Sequence, residues 1–134
     1  MTFPSARLAA LVFAGLTAVV MGFQLALALG APWGSYAMGG AFPGVMPPAM
    51  RAAALAQIGV LAMVALVVAS RAGLVLPRLR PVSRWLVWVV VALQAAGVVL
   101  NLITPSGTER LIWAPVATGL FLCALRVALA RDPA

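Results

Sequence analysis

Four long apolar segments dominate the pattern of hydrophobic and polar positions along the chain. Each has about the ~20 apolar residues that a helix needs to cross a bilayer. Proline, glycine or arginine separates each segment from the next, and these residues mark helix ends and membrane boundaries. The pattern predicts transmembrane helices at about residues 6–29, 48–72, 83–104 and 107–130.

Short polar residues predict where three of these helices begin. Ser5 and Ser83 precede apolar runs and can cap the first and third helices. Ser106 and Glu109 have the Ser-x-x-Glu spacing of a capping box at the fourth helix. Glu109 and the neighbouring Arg110 are therefore expected to be structural, as cap and ion-pair residues.

The composition agrees with a membrane protein. Hydrophobic residues make up 65% of the 134 residues and charged residues only 8%, whereas soluble domains have about 25% charged residues. The sequence therefore predicts one all-α membrane domain over 1–134, a polytopic bundle of four transmembrane helices. We expect a multi-pass protein of the cytoplasmic (inner) cell membrane.

Arginine predicts the orientation of this bundle, because basic residues accumulate on the cytoplasmic side. All nine basic residues are arginine. With both termini inside, only Arg51 and Arg110 lie outside, so we predict an N-in/C-in topology. Four of the inner arginines form a group that sets the orientation and can also contact anionic lipid headgroups. They are Arg71, Arg78, Arg80 and Arg84.

An alternative interpretation of the first segment is a secretory signal peptide. Arg7, the apolar run and Ala26-Leu27-Ala28 resemble its charged start, its core and its cleavage site. The uncharged run after Arg7 is longer than a usual signal core, which favours a retained helix.

The chain has few residues for chemistry. It contains no histidine and no lysine, one cysteine and two acids, Glu109 and Asp132. General acid-base catalysis, a thiolate nucleophile and a zinc site all need groups that are absent. We therefore expect no enzyme, no metal and no cofactor. The arginines sit at helix ends rather than on a water-exposed face, so no nucleic acid partner is expected.

The segment 30–47 combines turn residues with apolar side chains. Irregular backbone cannot face lipid without hydrogen-bond partners. We therefore predict that this outer loop folds back onto the outer ends of the helices.

Amide side chains occur at mid-depth or in the outer halves of the first three helices. On the third helix Gln94, Gly97, Asn101 and Thr104 are three, four and three residues apart, which places them on one face. One interpretation is that the amides bond the helices to each other. The other is a small outer pocket for a neutral or weakly anionic, partly apolar ligand. Its predicted residues are Gln24, Trp33, Arg51, Gln57, Gln94, Asn101 and Trp113.

Small residues at four-residue spacing predict close helix packing. We expect these faces to pack within the chain, and a homo-oligomer interface is the alternative. The faces are Ala18 with Gly22, the stretch from Ala52 through Ala56, and Ala92 with Ala96 and Gly97.

Two patterned stretches of the chain resemble a group of small uncharacterised four-helix bacterial membrane proteins. The resemblance implies the four-helix architecture, and it implies no chemistry. The residues that carry it are Gly30-Ala31-Pro32-Trp33-Gly34, Gly39-Gly40, Pro43-Gly44, Met46-Pro47 and Arg51, and then Asn101, Thr104, Ser106, Glu109-Arg110, Trp113 and Pro115.

Three functional classes can be compared. Ion-coupled transport needs a titratable group within the membrane, and none is expected there, because Glu109 is interpreted as an interfacial carboxylate. An accessory or binding protein for a lipid, a small apolar ligand or a partner membrane protein is the main expectation. An uncoupled pore or facilitator is the alternative. A binding protein predicts an outer pocket that is closed toward the cytoplasm, whereas a pore needs a continuous polar path.

Overall fold

The computed structural model describes residues 5–131, which form a bundle of four antiparallel helices. They are α1 (Ala6–Ala28), α2 (Pro48–Arg71), α3 (Arg80–Ile103) and α4 (Gly107–Ala128). The described residues contain no strand. All four helices are long and apolar enough to cross a membrane. The fold is therefore the predicted all-α four-helix bundle.

The helix starts agree with the sequence prediction except in α3. The Ser5 hydroxyl caps α1 by accepting a hydrogen bond from the N–H of Leu8 at 3.1 Å. The third helix begins at Arg80, three residues before the predicted start. Pro81 fits in its first turn, where an N–H has no intrahelical partner. Ser83 is therefore not a cap: it lies inside the helix and donates to the Arg80 carbonyl at 3.0 Å.

The four helices are arranged in a ring. Helix α1 packs on α2 and α4, and α3 packs closely on α4 but less closely on α2. We call the end that carries the connections 29–47 and 104–106 the loop end. The opposite end carries the connection 72–79, the N-terminal end of α1 and the C-terminal end of α4. We call it the arginine end.

The main hydrophobic core fills the half of the bundle nearer the arginine end. All four helices contribute to it. Buried polar side chains also occur in the bundle: Ser70 and Ser83 donate to nearby backbone carbonyls, and the Thr17 hydroxyl has no partner among the described residues. A smaller cluster of Leu27, Met46 and Ala54 lies at the loop end. The main core consists of Ala9, Ala10, Phe13, Val64, Val68, Val87, Val90, Leu120, Ala124, Val127 and Ala128.

Only part of the predicted small-residue faces packs within the chain. Ala18, Gly22, Ala92 and Ala96 are all exposed, and a side chain at Gly22 would meet no atom within 4 Å. The prediction of intramolecular packing is therefore wrong for these residues. Within the predicted stretch 52–56, Ala54 is buried in the smaller cluster.

The loop 29–47 lies over the loop end of the bundle. It contains two short 3₁₀ turns, Gly34–Tyr36 and Met38–Gly40. Any side chain at Gly34 would overlap the Phe42 carbonyl, so the turn requires glycine there. This tight path brings the second turn against the connection between α3 and α4.

Candidate functional site

A cavity of about 430 Å³ lies between the four helices, in the half of the bundle nearer the loop end. Ligand pockets in proteins commonly have about 300–1,000 Å³. Its wall is mostly apolar, and the loop contributes Tyr36, Ala37 and Met38. The apolar helix residues of the wall are Val20, Phe23, Val60, Leu61, Val64, Leu93, Trp113, Val116, Ala117 and Leu120.

The structure brings together the amides that the sequence predicted to converge. Gln24 of α1, Gln57 of α2, and Gln94 and Asn101 of α3 all line the cavity. Gly97 lines it too, one turn from each of its α3 neighbours. The three- and four-residue steps along α3 therefore place its polar face toward the cavity.

These amides do not bond the helices to one another. Within residues 5–131, no hydrogen bond joins the side chain of Gln24, Gln57 or Gln94 to another group. Asn101 donates through Nδ2 to the carbonyl of Gly97 in its own helix, at 2.7 Å. The interpretation of these amides as interhelical bonds is therefore wrong for the described residues. Gln24, Gln57 and Gln94 line the cavity without a hydrogen bond to another group of residues 5–131.

Glu109 is the one acidic residue that lines the cavity. It is 8% exposed, at the N-terminal end of α4, where a negative charge is favourable. Its Oε2 accepts hydrogen bonds from the Gly39 N–H at 2.9 Å and from the Thr104 hydroxyl at 3.2 Å. Among the described residues, Oε1 has no hydrogen-bond partner and no arginine is ion-paired with the carboxylate.

The predicted capping box is only half formed. Ser106 caps α4 as expected, since its hydroxyl accepts from the Glu109 N–H at 3.2 Å. The Ser106 N–H, however, points to the Thr104 hydroxyl at 3.4 Å and not to the Glu109 carboxylate. Arg110 is exposed and donates to the Thr104 carbonyl at 2.7 Å. The Glu109 side chain is thus turned away from its own cap, toward the loop and the cavity.

Aromatic side chains join the loop to the cavity wall. Trp113 lies one helical turn after Glu109 on the same face of α4. Its Nε1–H donates to the Tyr36 carbonyl at 2.9 Å. The Phe23 ring contacts the Trp113 ring, with centroids 4.7 Å apart and planes 59° apart. The sequence prediction identified Trp113 but missed Phe23 and Tyr36, which have no polar pattern to distinguish them.

Two predicted pocket residues do not line the cavity. Trp33 stacks on Phe23, with ring centroids 6.3 Å apart, and is largely exposed. Arg51 donates from Nε to the Ala28 carbonyl at 2.9 Å, at the C-terminal end of α1. Its guanidinium therefore satisfies a helix end. The prediction that Trp33 and Arg51 form the rim of the cavity is wrong, and the charge in the cavity is negative rather than positive.

The arginine group at the other end is not uniform. Arg78 and Arg84 are exposed and Arg80 is half-buried. Arg71 is only 6% exposed, and its Nη2 donates to the Ala130 carbonyl at 2.6 Å. Arg71 thus joins the end of α2 to the end of α4 instead of facing headgroups.

Within residues 5–131, no three His, Cys, Asp or Glu residues are grouped as a metal site would require.

The fold and the cavity define a multi-pass α-helical membrane protein with a chamber between its helices. Comparisons of the chain with protein-family models, with curated proteins and with solved structures found no match.

Proposed function

We propose that this protein is a membrane binding protein whose cavity holds a small amphipathic molecule. The observation that carries the proposal is the pairing of an apolar chamber with the side chains of Gln24, Gln57 and Gln94, which no group of residues 5–131 bonds. An unbonded amide away from water is costly, and a ligand with polar groups at the right places would remove that cost. Apolar pockets with a few converging polar groups are typical of small-molecule sites.

The cavity opens on the side of the bundle that faces lipid. Gln57 is exposed, as are Val60 of α2 (48%) and Leu93 of α3 (52%), although all three line the cavity. These residues lie along the gap between α2 and α3, the less closely packed pair of neighbouring helices. A ligand can therefore enter from the bilayer without crossing the loop.

The bundle is filled on the side of the cavity that faces the arginine end, and this favours a binding protein over a pore. Toward the arginine end the bundle is filled by buried side chains such as Phe13, Val68, Val87 and Ala124, each at most 1% exposed. All four helices contribute apolar side chains to this core, which favours a cavity that is closed toward the arginine end. The arginine distribution supports an extracytoplasmic loop end, so the ligand would be held in the outer half of the membrane.

Filling the cavity tests the proposal. A side chain added at Gly97 would meet no atom within 4 Å, so Gly97→Leu should fold and occupy the cavity. Gly22→Leu is the matched control, because Gly22 is also helical with open space at its Cβ but lies outside the cavity. Native mass spectrometry of each protein, released from the membrane with its lipids, should show a retained small molecule.

We expect the retained molecule on the wild-type protein and on Gly22→Leu, and its loss from Gly97→Leu. Equal retention by all three proteins would contradict the proposal, because the molecule would then sit on the lipid-facing surface. A wild-type protein that carries nothing except bulk phospholipid would also contradict it.

A further inference from the structure

The charge that faces the cavity identifies the class of ligand. Glu109 supplies a carboxylate that is buried over nine-tenths of its surface, and its Oε1 has no partner among residues 5–131. No arginine lines the cavity, because Arg51 and Arg110 are both bonded to backbone carbonyls elsewhere. A buried anion without a counter-charge attracts a cation far more strongly than an exposed one does.

The surroundings of Glu109 suit an organic cation rather than a metal ion. The Phe23 and Trp113 rings lie in contact and both line the same cavity. Aromatic faces attract ammonium groups, and Trp is the strongest of them. A hard metal ion would need several oxygen ligands, whereas Glu109 is the one carboxylate in the wall.

The rest of the cavity wall determines the character of the uncharged part of the ligand. Below the level of Glu109 the cavity is lined by Val64, Val116 and Leu120, which accept a hydrocarbon body. The glutamine amides carry no net charge and cannot neutralise a phosphate. A phospholipid headgroup, with its own anionic phosphate beside Glu109, therefore fits poorly.

From this geometry we propose that the cavity binds a hydrophobic ammonium compound, with the cationic nitrogen between the Glu109 carboxylate and the Trp113 ring. The inference rests on the proposed binding function and adds the charge of the ligand to it. The same site disfavours anionic amphiphiles. The predicted arginine rim would have favoured them.

Three probes of similar shape separate charge from shape. Benzyltrimethylammonium is the cation, neopentylbenzene is its neutral isostere with carbon in place of nitrogen, and benzylsulfonate is the anion. Binding is followed by the fluorescence of Trp113 in the full-length protein with Trp33, Trp85 and Trp88 replaced by phenylalanine, in phosphatidylcholine nanodiscs. Trp113 is the one tryptophan that lines the cavity.

We expect the cation to bind at least ~10-fold more tightly than the neutral isostere, and the anion most weakly of the three. Glu109→Gln should remove the preference for the cation, so that this variant binds the cation and neopentylbenzene within about two-fold of each other. A Trp113 response to neopentylbenzene shows that the variant is folded. Asp132→Asn removes the other acidic residue of the chain and should change neither affinity.

Three results would overturn one or other of the two proposals. Equal binding of the cation and the neutral isostere by the wild-type protein would overturn the charge inference and leave the binding cavity standing. Absence of a Trp113 response to every probe would overturn the proposed binding function itself. A preference for the cation that persists in Glu109→Gln would place the cationic subsite elsewhere and also overturn the inference.

Discussion

The Glu109 carboxylate holds the loop against the bundle, so its removal should release the second turn of the loop. In the structure Oε2 accepts from the Gly39 N–H and from the buried Thr104 hydroxyl. Hydrogen bonds to an ionised group contribute about 1.5–3 kcal/mol each. Because Glu109→Ala breaks two of them but lets water reach the freed groups, we expect a loss of about 3 kcal/mol in the free energy that holds the loop on the bundle. This is a local opening that leaves the core unchanged.

Amide hydrogen exchange at Gly39 is the most specific assay, since its N–H has the carboxylate as its partner. Loss of that bond should accelerate exchange at Gly39 by at least ~10-fold, which corresponds to about 1.4 kcal/mol. Exchange at Val127, in the core near the arginine end, should not change. Solution NMR in nanodiscs would measure both sites in one sample.

Thr104→Val provides the matched comparison. This variant removes the hydroxyl that donates a hydrogen bond to Glu109, but it leaves the Gly39 N–H bonded to the carboxylate. We expect about 2 kcal/mol of destabilisation without faster exchange at Gly39. The variant loses one hydrogen bond to an ionised group and the longer bond that the Thr104 hydroxyl accepts from the Ser106 N–H. If Gly39 exchanged in Glu109→Ala within about two-fold of the wild-type rate, the assignment of Glu109 as the anchor of the loop would be refuted.

Two further predictions concern the loop and the orientation of the bundle. Trp113→Phe should lower the free energy of unfolding by about 1 kcal/mol, measured by reversible unfolding in detergent, because it removes the indole N–H bonded to the loop tyrosine carbonyl. Trp85→Phe, at an exposed position, should have little effect, and equal losses in both variants would contradict the role of that bond. In a Cys123→Ala background, a membrane-impermeant maleimide added to intact cells should label Ser35→Cys but not Arg78→Cys. The reverse labelling would contradict the predicted N-in/C-in topology.

Helix positions were predictable because proline, glycine and short polar residues act locally. Ser5 and Ser106 cap the helices that their spacing predicts. The predicted start of α3 lies three residues after the observed one, because the prediction places Pro81 before the helix. Proline is tolerated in the first turn of a helix. Local signals thus fix where helices lie, with an error of a few residues at a proline.

The convergence of the amides was also predictable, since helical periodicity fixes which residues share a face. The path of the loop was not, because it depends on contacts far apart in the chain. Arg51 bonds the end of α1, and Glu109 bonds Gly39. No local pattern indicates either pair. The four-residue spacing of Glu109 and Trp113 was the one signal that could have placed the carboxylate beside the cavity.

Site-specific photocrosslinking tests the binding cavity most directly. A diazirine-bearing residue in place of Leu61 would sit in the buried wall of the cavity, and one in place of Leu66 on the exposed face of the same helix. The account predicts that irradiated membranes give an adduct of one small amphiphile at position 61 and bulk phospholipid at position 66. Phospholipid in the same proportions at both positions, or no adduct at position 61, would contradict it.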